Sequence, residues 1–236
     1  MFFYIDWLYI ILVIPAVIFS IIASARVNST FKKYSANFSR SGLTGAQVAR
    51  KILDANGLND VRIEQVSGNL TDHYDPRARV IRLSDTTYNS LSSAAHGVAA
   101  HEVGHAIQHN VGYFPIKIRQ AIIPITNIGS RLAMPLILVG VILSTFGEYY
   151  AWIAYAGVIC FSACVLFQLV TLPVEFNASK RALRALESQH ILFDDEMVGA
   201  RKVLNAAAMT YVAALAVSLT QFLRLFLIVV GARRRR

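Results

Sequence analysis

Residues 99–108 read Ala-Ala-His-Glu-Val-Gly-His-Ala-Ile-Gln and contain the pattern H-E-x-x-H, formed by His101, Glu102 and His105. Residues four apart lie on one face of an α-helix, so both imidazoles can reach a single metal ion. The residues upstream are small, apolar and free of proline, which favours a helix over 92–108. Two neutral imidazoles suit Zn²⁺, and a carboxylate beside the first can act as a general base. The stretch therefore predicts a zinc-binding helix with Glu102 as the catalytic base.

The composition of the 236-residue chain is that of a membrane protein. Hydrophobic residues make up 55% of the chain and charged residues 16%, with a mean hydropathy of +0.48. Apolar runs long enough to cross a bilayer, about 20 residues, explain these values. The formal charge of +9 is expected to orient the chain and to attract anionic lipid headgroups. No aromatic and basic RNA-binding pattern accompanies the charge, so nucleic acid is not an expected partner.

The N-terminal run, residues 1–25, is predicted to be a transmembrane anchor. It is apolar except for Asp6 and ends at Arg26. A cleavable signal peptide is the alternative, but such a peptide has a basic segment before the apolar run, and here Lys32 and Lys33 follow the run instead. The run is also long, which favours an anchor that is retained.

Residues 26–115 form the longest polar region and are predicted to hold the metallopeptidase part. Thr44 is a suitable N-cap for a helix that ends before Gly57. Residues 61–66 and 79–84 alternate enough for two short strands, joined by a turn-rich linker. The zinc-binding helix follows the second strand.

The segment 116–172 is predicted to form a transmembrane hairpin. Its first part carries Pro124 and is expected to be an interrupted or interfacial helix rather than a clean span. The remainder is more apolar and turns at residues 147–150, which include no Lys or Arg. Pro173 suits the first turn of a new helix, predicted for the segment 173–205.

The distribution of Lys and Arg predicts the orientation of the chain. Basic residues follow the first span and the hairpin, whereas the tip of the hairpin has none, which places the zinc-binding helix and residues 173–205 in the cytoplasm. The C-terminal segment, 206–236, consists of an apolar run and the basic tail Arg233–Arg236. A full crossing by this run would put the tail outside, against the rule, so a re-entrant or interfacial run is the alternative.

A catalytic zinc needs a third protein ligand besides His101 and His105. Glu175 is a candidate, because the hairpin returns the chain to the side of the membrane that it left and Glu175 follows directly. The alternative for Glu175 is an acid stabilised by the dipole at a helix N-terminus. Glu187 and the acidic cluster 194–196 are weaker candidates, since they lie farther along the chain on segments expected to be exposed.

The linker between the two predicted strands supplies candidates for a donor to the tetrahedral oxyanion of peptide hydrolysis. His73 and Tyr74 are the candidates, because the linker lies just ahead of the zinc-binding helix. The alternative is that Asp72, His73 and Asp75 only shape the turn before Pro76.

Four blocks of the chain resemble the YugP-like membrane zinc metallopeptidases. They are Leu70-Thr-Asp-His-Tyr-Asp-Pro76, Val98-Ala-Ala-His-Glu-Val-Gly-His-Ala-Ile-Gln108, Leu172-Pro-Val-Glu-Phe-Asn-Ala-Ser179 and Leu204-Asn-Ala-Ala-Ala-Met-Thr-Tyr-Val-Ala-Ala214. The third block is also distantly similar to the Glu-containing helix of HtpX-like and CAAX-prenyl proteases. The resemblance implies a gluzincin-like, zinc-dependent endopeptidase with His101, His105 and Glu175 as ligands and Glu102 as base.

The chain departs from these relatives beside the third ligand. Relatives tend to carry Asp at the position of Asn177, and HtpX-like proteins carry an acid at the position of Ser179. If such an acid orients a zinc-bound imidazole, an amide or a hydroxyl takes its role here, or the role is missing.

The fold class expected from these features is a mainly α membrane protein with a small α+β zincin-like domain, made of short strands and the H-E-x-x-H helix. The expected cofactor is Zn²⁺, the expected location is a bacterial cytoplasmic membrane with the active site facing the cytoplasm, and the expected partners are membrane-associated protein or peptide substrates and the lipid bilayer. The oligomeric state is left open.

Two other functions are compatible with part of the sequence. An intramembrane zinc protease needs the H-E-x-x-H pattern inside a spanning helix, but the apolar stretch 94–107 is too short to span. A non-enzymatic scaffold or transporter with a structural zinc would fill all four zinc positions with protein groups and leave Glu102 without a role.

Overall fold

The computed structural model describes residues 6–234, with the side chains of residues 232–234 left out of the description. The helices are α1 (Ile14–Ser35), α2 (Gly45–Ala55), α3 (Asp85–Tyr88), α4 (Ser93–Asn110), α5 (Phe114–Leu143), α6 (Ala151–Ser188) and α7 (Asp194–Arg234). A π-helical turn, Tyr9–Val13, precedes α1, and a 3-10 turn, Glu148–Tyr150, precedes α6. The strands are β1 (Arg62–Val66), β2 (His73–Asp75) and β3 (Val80–Ser84).

Four helical segments are long and apolar enough to cross a membrane, namely Tyr9–Ser35, Phe114–Leu143, Glu148–Ser188 and Asp194–Gly231. Together with the small sheet, they confirm the prediction of a mainly α membrane protein with an α+β part. The first five residues of the predicted anchor lie outside the described residues. The basic tail also falls outside, since its side chains are not described.

The chain folds into two compact units. One contains the described residues up to Ile22, Lys117–Leu172 and the residues from Thr210 onward. The other contains Ala23–Ile116 and Pro173–Met209. This second unit holds the sheet and every residue that the sequence nominates as a zinc ligand.

In the first unit, parts of α5, α6 and α7 pack around a small apolar core. Its buried residues are Ile137, Val141, Ala154, Val158, Leu225 and Val229. Gly140 lets two helices approach closely, because a Cβ atom there would lie 2.1 Å from the backbone nitrogen of Ala154. Such small residues are typical of helix contacts within membranes.

The first unit also contains an ion pair inside apolar segments. Nη2 of Arg224 lies 3.0 Å from Oδ2 of Asp6, and its guanidinium lies 5.0 Å from the ring centroid of Tyr9. Charges in apolar surroundings are costly unless they are paired. The pair therefore allows both charges to be part of otherwise apolar helical segments.

The second unit is built on a three-stranded sheet of order β1-β3-β2. The central strand β3 pairs parallel with β1 and antiparallel with β2. Val80, Ile81 and Leu83 of β3 are fully buried, and most of the remaining core comes from α2, α4, the C-terminal part of α6 and the N-terminal part of α7. The sheet and α2 thus give α4 a rigid support.

Several local predictions are confirmed in this unit. Thr44 caps α2 in a capping box, since its hydroxyl accepts from the backbone of Gln47 and the Gln47 side chain accepts from the backbone of Thr44. Gly57, just beyond α2, has a φ of +70°, a conformation that glycine adopts without strain. The two predicted strands correspond to β1 and β3.

The turn-rich linker between these strands contains a strand, β2, that the sequence analysis did not predict. Two aspartates, Asp72 just before β2 and Asp75 at its end, organise the backbone. Asp72 accepts from the backbone and hydroxyl of Ser84, and Asp75 accepts from the backbone of Arg77 and Ala78. Asp75 thus shapes the local turn around Pro76, as the turn-shaping interpretation expects, whereas Asp72 ties the linker to the end of β3.

The interruption predicted at Pro124 and the helix start predicted at Pro173 are both wrong. The helix α5 runs without interruption through Pro124, and Pro173 lies inside α6 rather than at the start of a new helix. A proline removes a single helical hydrogen bond, whereas a break in an apolar segment would leave several backbone groups without partners. The continuous helix is therefore favoured at both positions.

The acidic cluster at residues 194–196 forms the first turn of α7. The expectation that this cluster is exposed is wrong for Glu196, whose side chain is buried. Its carboxylate accepts from the backbone N–H groups of Arg40 and Phe193 and from the hydroxyl of Ser39. Asp195 remains exposed and pairs with Arg40.

Candidate metal centre

Helix α4 presents the two histidines, and the prediction of this helix is confirmed. The hydroxyl of Ser92 caps its first turn by accepting from the backbone of Ala95. Alanine and glycine occupy much of α4, and these small residues allow neighbouring elements to pack closely against the helix. His101 and His105 lie on one face, with ring centroids 4.7 Å apart and ring planes nearly perpendicular at 86°.

Helix α6 brings Glu175 to this pair of histidines. Oε2 of Glu175 lies 3.3 Å from Nε2 of His101 and 3.5 Å from Nε2 of His105. The Glu175 side chain is 3% exposed, and each histidine side chain is 14% exposed. The carboxylate is thus the most deeply buried part of the group, and the imidazoles are partly exposed at the surface.

The spacing of these three atoms fits a zinc ion. Ligand atoms about 2.0–2.1 Å from a tetrahedral zinc lie about 3.3–3.4 Å from one another. The two measured separations, 3.3 and 3.5 Å, match such tetrahedral edges. In the described part of the chain, the group of possible metal ligands consists of His101, His105 and Glu175. Two imidazoles and a carboxylate are also a donor set that zinc prefers.

Glycine explains why α4 and α6 approach closely enough to form the group. A Cβ atom at Gly104 would lie 2.6 Å from the carbonyl oxygen of Ala178. Ala178 lies one helical turn after Glu175, on the same face of α6. The close-packed neighbour of Gly104 is therefore the backbone of α6.

Ser179 contacts the far side of the first imidazole. Its Oγ lies 3.1 Å from Nδ1 of His101. With Nε2 as the metal ligand, a neutral His101 ring would carry its proton on Nδ1 and donate it to the hydroxyl oxygen. The hydroxyl thereby fixes the tautomer and the orientation of the ring.

Gln108 has the same role at the second imidazole. Its Oε1 lies 3.0 Å from Nδ1 of His105, and its Nε2 donates to the carbonyl of Val174 at 2.7 Å and to Oδ1 of Asn177 at 3.0 Å. The Asn177 oxygen also accepts from Nε of Arg181 at 2.8 Å. The fully buried amide of Gln108 therefore ties the imidazole of α4 to the backbone and side chains of α6.

The electrostatics of the group favour positive charge. Burial alone would lower the pKa of His105, but its hydrogen bond to Glu175 and the charges of Glu175 and Glu102 outweigh burial and raise the pKa above its ordinary value. A cation placed among these residues is stabilised by the same two carboxylates. A divalent metal ion meets this requirement.

Comparison with known proteins decides the family. A family described as "Putative neutral zinc metallopeptidase" matches residues 9–230. The chain belongs to this family. It is also 48% identical over 226 residues to a protein of Bacillus subtilis (strain 168) named "Putative membrane protease YugP", and the match covers 96% of this chain and 98% of the relative. No solved structure matches the chain.

Membership of this zinc metallopeptidase family confirms the resemblance inferred from the four sequence blocks. Zinc is the metal that the family name implies, and the group of His101, His105 and Glu175 fits that ion. The relative is named as a membrane protease, which agrees with the four apolar helices.

Glu102 is an acidic residue that lies beside this group without being part of it. Its side chain lies on α4 next to His101 and is 8% exposed. Its charge contributes to the raised pKa of His105, so the carboxylate is close to the imidazoles. This position is compatible with the predicted role as general base.

The weaker candidates for the third ligand lie outside the group. Glu187 is exposed near the C-terminal end of α6, and the cluster 194–196 opens α7. Glu196 is engaged with the backbone and with Ser39, as described above. The geometry therefore favours Glu175 over both alternatives.

The predicted oxyanion donors lie on the edge strand β2. His73 is exposed, and its Nδ1 lies 2.9 Å from the carbonyl oxygen of Thr71, to which it donates. Tyr74 is half-buried, its ring centroid lies 5.5 Å from that of His109 on α4, and burial raises its pKa. Neither is part of the His–His–Glu group, so the catalytic role of His73 stays a prediction.

Gln108 is the functional residue that sequence reasoning missed. It lies within the stretch quoted first, three residues after His105, where its side chain reaches the preceding turn. A polar residue one helical turn after a candidate ligand is a signal that could have identified it. His96, another buried polar residue of α4, donates from Nε2 to the carbonyl of Leu43 and so joins α4 to the segment before α2.

Proposed function

We propose that the protein is a membrane-embedded, zinc-dependent endopeptidase with its active site at the cytoplasmic surface of the membrane. One observation carries the proposal. Three ligand atoms, from His101, His105 and Glu175, converge at the spacing of a tetrahedral zinc site, and Glu102 adjoins them on α4.

These residues divide the work of peptide hydrolysis. His101, His105 and Glu175 would hold the zinc ion, which when bound supplies Lewis-acid activation of water and of the scissile carbonyl. Glu102 accepts the proton of the attacking water as the oxygen bonds to the carbonyl carbon. It then gives the proton to the departing nitrogen as the C–N bond breaks. His73 or Tyr74 on β2 is the proposed donor to the oxyanion.

The number of protein ligands favours a catalytic zinc over a structural one. Structural zinc sites fill four positions with protein groups, whereas catalytic sites use three and keep one open. Among the described residues the group stops at three. The exposed edges of the imidazoles provide access to the remaining position.

The surroundings of α4 favour an active site outside the bilayer core. Helix α4 is not one of the four helices that could span a membrane. Its first turn is capped by Ser92, and its last turn contains His109 and Asn110. An intramembrane protease would need this pattern inside a spanning helix.

The cytoplasmic orientation rests on the positive-inside rule. Arg26, Lys32 and Lys33 follow the first span, and Lys180 and Arg181 follow the third, whereas the turn at 147–150 has no basic residue. The last apolar run belongs to the continuous helix α7, which has no re-entrant break.

The position of Glu175 in the chain supports substrates that lie at or near the membrane. Glu175 follows by three positions the apolar run that ends at Leu172. A site formed so close to the end of a membrane span would favour proteins or peptides that are membrane-bound or have a juxtamembrane cleavage point.

Metal analysis combined with a cleavage assay tests the proposal. The purified full-length protein should contain zinc in near 1:1 ratio and cleave casein, lose cleavage with a chelator and regain it with added zinc. Glu102→Gln should keep its zinc and lose about 10²–10⁴-fold in activity. Zinc binding without any cleavage in the wild-type protein would favour a structural metal, and full activity in Glu102→Gln would remove the base assignment.

A further inference from the structure

A cavity of about 530 Å³ lies between α1 and α7, within the same unit as the metal centre and formed by other residues. One face of α1 contributes Arg26, Ser29, Thr30 and Lys33, which are spaced as neighbours on a helix surface. One face of α7 contributes Lys202 and Asn205 with the same spacing. The size is within the range of about 300–1,000 Å³ typical of small-molecule sites.

The charge of this cavity is entirely positive. Arg26, Lys33 and Lys202 line it, and no Asp or Glu does. Within the described residues, none of the three cations forms an ion pair with a carboxylate. Their charges are therefore available to a ligand.

Tyr34 brings two of these cations together. Nζ of Lys33 lies 5.7 Å and Nζ of Lys202 lies 5.8 Å from the centroid of the Tyr34 ring. Tyr34 itself is buried, at 8% exposure. Two helices thus place ammonium groups over one aromatic ring, where like charges repel unless an anion lies between them.

The polar groups of the cavity match a phosphate ester. Lysine ammonium groups bind phosphate as point charges, and the hydroxyls of Ser29 and Thr30 and the amide of Asn205 can donate to further oxygens. Met209 adds an apolar wall. A ligand with an anionic phosphate and an apolar part fits this combination.

The position of the cavity along the chain favours a lipid as the source of the phosphate. Arg26 directly follows the first apolar run, and Met209 directly precedes the most apolar part of α7. Lipid phosphates lie at the ends of membrane spans, and basic pockets between helices at this level bind anionic headgroups. We propose that this cavity binds the phosphate headgroup of an anionic phospholipid.

Titration of delipidated full-length protein in neutral detergent tests the proposal. Three probes are used, namely short-chain phosphatidylglycerol, short-chain phosphatidylcholine and inorganic phosphate, with the melting temperature and native mass spectrometry as readouts. Phosphatidylglycerol should raise the melting temperature saturably and with the highest affinity. In the double variant Lys33→Gln, Lys202→Gln this affinity should fall roughly 30-fold.

A matched control removes the same charge from the same helices. Lys32→Gln with Arg201→Gln changes exposed neighbours that do not line the cavity, and this variant should bind phosphatidylglycerol like the wild type. Both variants should keep their zinc content, so the result is independent of the proposed peptidase function. If the double cavity variant does not fold, Arg26→Gln is measured in its place and should weaken binding roughly 5-fold.

Three outcomes would overturn the proposal. If the cavity and control variants lost equal affinity for phosphatidylglycerol, the binding would be due to diffuse attraction by surface charge. Equal binding of phosphatidylcholine would mean that the anionic charge is not recognised. Inorganic phosphate binding as tightly as phosphatidylglycerol would assign the cavity to a soluble anion instead of a lipid.

Discussion

Oγ of Ser179 lies 3.1 Å from Nδ1 of His101, on the side of the imidazole that faces away from Glu175. A hydroxyl accepts the imidazole proton but carries no negative charge, so it polarises the ring less than a carboxylate would. The metal centre therefore combines an oriented His101 with an uncharged partner.

Replacing Ser179 tests this contact. Ser179→Ala should lower zinc affinity about 10-fold, because the ring loses the partner that fixes its tautomer and orientation. Ser179→Asp should bind zinc at least as tightly as the wild type. Competition with a fluorescent chelator measures both. Ser188→Ala, an exposed hydroxyl near the end of α6, is the control, and an unchanged affinity in Ser179→Ala would show that the hydrogen bond has no role in zinc binding.

Replacing Glu175 tests the third ligand. Glu175→Ala should purify folded but poor in zinc and inactive, with zinc affinity lowered by at least about 100-fold, the upper end of what loss of an outer partner costs. Glu187→Ala and Asp194→Ala should behave like the wild type in metal analysis and in the casein assay. Full zinc occupancy in Glu175→Ala with loss in one of the other two variants would move the site away from α6.

The close approach of α4 and α6 predicts an effect of Gly104→Ala. The added methyl group would lie 2.6 Å from the Ala178 carbonyl oxygen and would push the helices apart. The expected cost is about 1–3 kcal/mol of unfolding free energy, together with weaker zinc binding. Gly231→Ala is the control, because that helical position has no neighbouring atom within 4 Å of the new Cβ. Equal stability of the two variants would contradict the packing argument.

The ion pair between Asp6 and Arg224 predicts that substitutions of these two residues have non-additive effects on the free energy of unfolding. Asp6→Asn leaves the guanidinium of Arg224, which is 8% exposed, without a counter-charge and should cost about 3 kcal/mol. Arg224→Gln should be similarly harmful. The double variant should be more stable than the sum of the two losses implies, as measured by denaturant titration in detergent micelles. Strict additivity would mean that the two charges do not interact.

Thiol labelling in intact cells tests the orientation. In a background without Cys160 and Cys164, a cysteine at Ser67 or Ser188 should resist an impermeant reagent, and a cysteine at Glu148 should react. All three positions are exposed, so burial does not decide the result. Labelling at Ser67 with protection at position 148 would invert the topology and place the active site outside.

Periodicity and composition were sufficient for the elements whose formation is local. The four-residue spacing of His101 and His105 predicted a ligand pair on one helix, and the capping residue Thr44 predicted the start of α2. Both signals act within one or two helical turns. At Pro124 and Pro173 the local signal wrongly predicted a helix break or a helix start. A proline inside a long apolar helix costs one hydrogen bond, whereas a break would leave several backbone groups without partners.

The sequence by itself determined the membrane class, the zinc-binding helix with its two histidines and Glu102, and a short set of candidates for the third ligand. Glu175 was already the preferred candidate through the family resemblance, but only the tertiary structure brought its carboxylate to the two histidines, added Gln108, assigned Ser179 to His101, and formed the basic cavity between α1 and α7. The physical reason is distance along the chain. Glu175 is 74 residues from His101, and the spacing between their atoms depends on how α6 packs against α4 at Gly104, which no local pattern encodes.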